Sequence, residues 1–167
     1  MKIVNSNIGD IDAIFDLYDE ASKYQIDVFE EQWVGFEREL VETEIAENRQ
    51  WKIIIDNEIA CVFAVTFNDK IIWKEKDKQP SIYIHRISVN NKFRGAGFTN
   101  IIIDWAKDYP KTHQKEFIRM DTLGHNQKLI DYYVSCGFKH TETIKIGALQ
   151  GMPAHYKGSL ALFEIVV

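Results

Sequence analysis

Apolar and polar positions along the chain change period several times, and each change marks an element. Residues 1–5 read as a short strand. Asn7 then suits a helix N-cap, with Asp10 three residues on as its reciprocal partner. Ile11, Ile14, Phe15, Tyr18 and Ala21 follow at helical spacing. Residues 23–35 are less regular and mix aromatics with acids. Phe36, Leu40, Val41 and Ile45 then share one face of a second amphipathic helix, which Asn48 stops. Residues 51–55 and 59–67 are rich in β-branched positions and flank the turn signal Asp56-Asn57-Glu58, so they predict a hairpin. Lys74 to Lys78 is a charged run before Pro80 and reads as a solvated loop. Residues 81–89 form a third long strand.

From there helices and strands alternate. Phe98, Ile101, Ile102, Trp105 and Ala106 give a helix over 97–109, which Pro110 helps to end. Residues 116–122 read as a strand, and 126–136 as a helix with Leu129, Ile130, Tyr133 and Val134 inward. Gly137 suits the left-handed residue after a helix. Residues 138–146 and 157–167 are the last strands. The order predicts an α/β (α+β) fold: a mixed, mostly antiparallel sheet of about seven strands flanked by about four helices. The unit over 81–122 should place its two strands parallel, with a right-handed crossover.

At 167 residues the chain fits one domain, 1–167, and its 46% hydrophobic content is ample for a core. A net charge of -5 argues against a broad nucleic-acid-binding face, although a local basic mouth is allowed. Cys61 and Cys136 sit in apolar contexts and suggest buried hydrophobes in a reducing compartment. The first residues lack the apolar run of a signal peptide, and no stretch approaches the ~18 apolar residues of a membrane span. A cytoplasmic protein without membrane partners is expected.

The chemistry concentrates in residues 87–99. A strand delivers the chain to a short polar loop with two glycines, and a helix opens. A helix start presents unsatisfied N–H groups and partial positive charge. Glycines let that backbone close on an anion, and Lys92 and Arg94 add cationic charge. The pattern gives a site for a phosphate or pyrophosphate. A P-loop would need Gly-Lys-Ser/Thr, but Phe98 follows Gly97. A dinucleotide fingerprint would need a third glycine where Asn100 stands.

Arg94-Gly95-Ala96-Gly97-Phe98-Thr99 resembles the Arg/Gln-x-x-Gly-x-Gly/Ala motif of the GNAT superfamily, the acetyl-CoA-dependent N-acetyltransferases, with Thr99 in place of the final small residue. Downstream, Asn126, Tyr133, Gly137 and Phe138 match the family's Asn-x-x-Ala-x-x-x-Tyr-x-x-x-Gly-Phe segment, with Leu129 for alanine. The resemblance implies the GNAT fold and acetyl-CoA (coenzyme A) as the acyl donor. It implies that the backbone of Ile87, Ser88 and Val89 binds the pantetheine arm. Arg94, Gly95, Ala96, Gly97, Phe98 and Thr99 would bind the pyrophosphate, and Asn126 would touch the cofactor arm. An amine would attack the thioester directly, with a backbone N–H near Val89 polarising the carbonyl.

Tyr133 would then sit near the sulfur as general acid, with Tyr132 on a different face of the helix. His85, four residues before Val89 and on the same strand face, is the candidate base. Water-mediated deprotonation through a backbone carbonyl or a carboxylate is at least an equal alternative. The acceptor would lie beside the early helices and the loop joining the last strands. Glu30, Trp33 and His155 are the substrate-binding candidates, among Tyr24, Asp27, Phe29, Glu31 and Tyr156. Solvated helix edges and surface loops explain those residues as well. The acceptor implied by the resemblance would be a small-molecule or peptide amine, and a homodimer stays open. His113, His125, His140 and His155 show no paired ligand spacing, so no metal is expected. A non-catalytic acyl-CoA-binding module, and an interaction protein whose glycine turn merely caps a helix, are the rival readings.

Overall fold

A computed structural model describes residues 1–29, 35–109, 114–124, 126–151 and 158–167. The chain divides into two compact units, Met1–Val65 with Ile84–Phe98, and Thr66–Tyr83 with Thr99–Val167. Among these residues seven strands form one sheet in the order β1-β2-β3-β4-β5-β7-β6. Five helices accompany them among the described residues, where the sequence predicts about four. No helix among these residues is long and apolar enough to cross a membrane.

In the first unit, β1 (Lys2–Asn5) leads to the cap read at Asn7. Asn7 Oδ1 accepts the Gly9 N–H at 2.9 Å, and Asp10 accepts the Asn7 N–H at 2.7 Å. One short turn later the chain enters α1 (Ile11–Phe29). This helix runs through residues 23–29, where the sequence reads as less regular. Ile11, Ile14, Leu17 and Tyr18 are buried against Val41, Ile45 and Val62. That packing offsets the cost of nucleation. Each further residue then needs only its own hydrogen bond, even where its side chain, like Lys23, is exposed.

Val41 and Ile45 come from α2 (Arg38–Ala46). The predicted hairpin follows as β2 (Gln50–Ile55) and β3 (Glu58–Thr66), with β1 antiparallel on the other side of β2. Asp56 and Asn57 have φ of 49° and 65°. Two consecutive left-handed residues match the right-handed twist of the flanking strands, and Asp and Asn tolerate that conformation best after glycine. β4 (Ser81–Val89) runs from the second unit into the first.

In the second unit, α3 (Lys70–Trp73) and a 3₁₀ turn over Lys74–Lys78 replace the expected solvated loop. Two anchors explain the difference. Trp73 is buried with Tyr83, Leu160 and Leu162. Asp77 accepts the Tyr83 hydroxyl at 2.7 Å and the Asp69 N–H at 2.6 Å. A charged run with a buried tryptophan at its head is pinned to the sheet, and Lys74, Glu75 and Lys78 stay in water.

After α4 (Phe98–Asp108) come β5 (Phe117–Leu123), α5 (Gln127–Ser135), β6 (Lys139–Lys145) and β7 (Ser159–Val166). β7 pairs antiparallel with both β5 and β6, so the last strand inserts between two earlier ones. On α5, Leu129, Ile130 and Tyr133 are partly buried, but Val134 is 47% exposed, contrary to its predicted inward position. Tyr133 packs on Phe163, and the next residue lies about 100° further round the helix.

Arg119 is fully buried on β5. It donates to the Lys76 carbonyl at 2.6 Å, Ser81 Oγ at 2.9 Å and Gln79 Oε1 at 2.5 Å, and lies 3.4 Å from Glu164. The charge is tolerated because its fork of donors meets this set of acceptors.

Candidate functional site

β4 does not end as a regular strand. Arg86 has φ of 50°, a left-handed conformation that costs a non-glycine residue roughly 1–2 kcal/mol. The surroundings hold it there. Its guanidinium pairs with the buried Glu44, donates to the Tyr18 hydroxyl at 3.2 Å, and lies 5.0 Å from the Phe36 ring centroid. The kink redirects the backbone of Ile87, Ser88 and Val89, of which Ser88 is buried and its neighbours half-buried. Nothing in the sequence marks Arg86, because a left-handed arginine inside a strand has no compositional signature.

Asn90 then fastens the turn. Its backbone N–H donates to the Ala60 carbonyl at 2.9 Å and its side-chain amide to the Ile59 carbonyl at 3.2 Å. Its Oδ1 accepts the Lys92 N–H at 3.0 Å, capping a 3₁₀ turn over Asn91–Phe93. Arg94 and Ala96 are exposed. Gly95 and Gly97 have φ of 83° and 72°, and a Cβ added at either would meet nothing within 4 Å. Both glycines are needed for conformation, and both face open space at the start of α4. Lys92 is paired with Glu58 at 3.0 Å, so part of the expected cationic mouth is neutralised.

Thr99 is buried, and its Oγ1 accepts the Tyr132 hydroxyl at 3.0 Å. Tyr132 therefore bonds to the first turn of α4, a contact its helical phase alone does not reveal. Asn126 caps α5 through Oδ1, which accepts the Leu129 N–H at 3.1 Å. The Tyr133 ring lies 5.2 Å from that of Phe163 and 6.2 Å from that of Phe138. Burial, then the neighbouring Tyr132, Cys136 and Asp121, push its phenol pKa well up. It stays protonated across the physiological range.

His85 is held neutral. Burial first, then the positive charges of Arg86 and Arg49, lower its pKa to about 3. So weak a base takes few protons from an ammonium at neutral pH, which counts against the base role the sequence suggests. Two carboxylates the sequence reading passed over have the opposite character. An oxygen of Asp69, at the start of α3, and one of Asp121, on β5, lie within 4.8 Å of each other. Burial and then Asp69 raise Asp121 to about 7. Burial and, more weakly, Asp77 raise Asp69 to about 6, against a hydrogen bond from the Ile72 N–H. An acid set among the apolar positions of a predicted strand was the available signal for Asp121, but its partner 52 positions away was not legible.

The sign of the resulting pH dependence is fixed. Asp121 has a folded pKa above its unfolded value near 3.8, so the folded state binds the proton more tightly. Its contribution to stability is complete below the unfolded pKa and is lost as pH rises through about 7. Asp121→Asn keeps the size and removes the titration. Urea unfolding between pH 4 and 8 is expected to show the wild type losing stability relative to Asp121→Asn as pH rises. Parallel curves would show that Asp121 does not titrate there.

Glu30, Trp33 and His155, with Glu31 and Tyr156, lie outside the described residues. Among the other acceptor-side candidates, Tyr24 is partly exposed on α1, with its ring against Arg94.

A kinked strand, a fastened glycine turn and a helix start that faces open space define the class: an α/β protein with an exposed glycine turn at a helix N-terminus. Residues 12–138 match the sequence pattern of the acetyltransferase (GNAT) family. The chain belongs to that family. It is 28% identical over 71 residues to YesJ, an uncharacterized N-acetyltransferase of Bacillus subtilis strain 168. That match covers 42% of this chain and only 39% of the relative. Its fold is similar to that of a GNAT-family acetyltransferase from Listeria monocytogenes, with a TM-score of 0.78 at 19% identity over 99% of this chain and 94% of that one. A second, from Streptococcus agalactiae, has a TM-score of 0.75 at 20% identity over 99% and 95% of the two chains.

Proposed function

We propose that this protein is an N-acetyltransferase, a single domain that moves the acetyl group of acetyl-CoA directly to a primary amine of a small molecule or peptide. The observation that carries this reading is the turn at Gly95 and Gly97. Its two left-handed glycines open onto free space where α4 begins, as a pyrophosphate approaching the helix N-terminus requires. The donor chemistry fits as well. The N–H groups of the first helical turn, the Arg94 guanidinium and the Thr99 hydroxyl hydrogen all suit an anion.

Bound acetyl-CoA supplies the thioester. The chain's residues bind, orient and move protons. The backbone of Ile87 to Val89, turned by the kink at Arg86, holds the pantetheine arm, and a backbone N–H near Val89 polarises the carbonyl. Asn126 contributes at the same arm. Tyr133, kept protonated by burial, gives a proton to the departing sulfur. The ammonium must lose a proton before attack. A carboxylate that titrates near neutral pH suits that task better than His85, which makes Asp121 the stronger candidate.

Two measurements test the reading. Isothermal titration should show acetyl-CoA binding, and its absence would remove the cofactor assignment. Thiol release should then respond to at least one member of a panel of polyamines, aminoglycosides, amino acids and peptides. Binding without turnover on any amine would favour a non-catalytic acyl-CoA-binding module.

A further inference from the structure

The two cations of the glycine turn are held in different ways. Lys92 forms an ion pair with Glu58, and its charge is neutralised. The Arg94 guanidinium has no carboxylate within ion-pair distance and no hydrogen bond among the described residues. Instead its guanidinium carbon stands 4.0 Å from the centroid of the Tyr24 ring, on α1. Arg94 and Tyr24 are 70 positions apart in the chain but lie in the same compact unit.

The kind of partner matters. A carboxylate beside an arginine would occupy the N–H edge of the guanidinium and cancel its charge. An aromatic ring engages only the flat face. The five N–H donors lie in the guanidinium plane, so contact with its face leaves them available. Stacking also restricts a long side chain that would otherwise lose rotamer freedom when an anion binds.

We propose that Tyr24 is a positioning residue, which holds the Arg94 guanidinium ready to receive the pyrophosphate of coenzyme A. This rests on the reading of residues 94–99 as the pyrophosphate site. It also gives α1 a part in binding the cofactor, beyond the acceptor side to which the sequence assigns its C-terminal portion.

The test uses isothermal titration of coenzyme A and steady-state kinetics with acetyl-CoA. Tyr24→Leu is expected to weaken coenzyme A binding about two- to fivefold, the range for a cation–π contact at an exposed site. It should raise KM for acetyl-CoA and leave kcat at saturation unchanged. Tyr24→Phe keeps the aromatic face and should restore the affinity. In an Arg94→Ala background, Tyr24→Leu should cost nothing more, because its effect runs through Arg94. Acetyl-pantetheine lacks the pyrophosphate, and its kcat/KM should not respond to Tyr24→Leu. Unchanged affinity in Tyr24→Leu would overturn the proposal. So would a loss that persists in the Arg94→Ala background or extends to acetyl-pantetheine, since either marks a general effect of helix packing. Failure of the wild-type protein to bind coenzyme A is a separate result, and it would remove the acetyl-CoA reading together with this one.

Discussion

Gly97→Glu is expected to abolish measurable acetyl-CoA binding while the protein stays folded. Two costs add. Gly97 has φ of 72°, and placing a side chain there costs roughly 1–2 kcal/mol in the folded protein. That should lower the melting temperature by roughly 2–8 °C for a chain of this size. The protein offers no steric objection, since a Cβ at this position meets nothing within 4 Å. The larger cost falls on the ligand. A carboxylate about 4 Å from a phosphate, at the effective dielectric of a protein surface, adds about 4 kcal/mol of repulsion. That corresponds to a loss of affinity of about 1000-fold. Gly97→Ala is the control, because it carries the backbone strain without the charge and should lose far less. Isothermal titration and a thermal melt on both variants separate the terms. Retained affinity in a folded Gly97→Glu protein would show that the pyrophosphate lies elsewhere.

Tyr133→Phe is expected to lower kcat by about 100- to 10,000-fold, the range for a positioned general acid, with little change in acetyl-CoA affinity. Stability should hardly move. The ring keeps its packing on Phe163 and Phe138, and the hydroxyl makes no hydrogen bond among the described residues. Burial sets the direction of proton transfer. With its pKa pushed up, the phenol is protonated across the assay range and can donate but not accept. Alkaline loss of activity from its ionisation should therefore begin only well above neutral pH. Tyr132→Phe is the informative neighbour. It removes the hydroxyl that donates to Thr99 Oγ1 and should act on cofactor affinity before kcat. Full turnover by Tyr133→Phe would refute the acid role and leave the thiolate to depart unaided, as a leaving group of pKa roughly 8.5 can.

The features legible in the sequence share one property: their cause is local. Asn7 caps because the N–H groups it satisfies lie within three residues, and Asn126 caps α5 for the same reason. Asp56 and Asn57 form the hairpin turn because their short polar side chains tolerate the left-handed region. Gly95, Gly97 and Gly137 stand at positive φ, where a side chain would be strained. The glycine turn before α4 was readable on these grounds. The spacing of Asn126, Tyr133 and Gly137 then tied it to a family.

What escaped the sequence depends on partners far along the chain. Residues 23–29 continue α1 because its earlier turns are buried against α2 and β3. The charged run after Trp73 is ordered by Tyr83 and Asp77. β7 lies between β5 and β6, although nothing in its own residues chooses between an edge and an interior place. Arg119 is a buried cation because residues 76–81 bring one backbone carbonyl and two polar side chains to it. Site chemistry follows the same division. The place of Tyr133 on α5 was legible, but its raised pKa was not, because burial sets it. His85 looked like a base until its surroundings took away its affinity for a proton. Asp121 looked like a strand residue until Asp69 came within 4.8 Å. By itself the sequence determined where the backbone turns and where helices begin, since those depend on residues a few positions apart. The tertiary structure alone decided which side chains hold protons at neutral pH and which cation lies on an aromatic ring, because desolvation and contacts between distant residues arise only once the chain is folded.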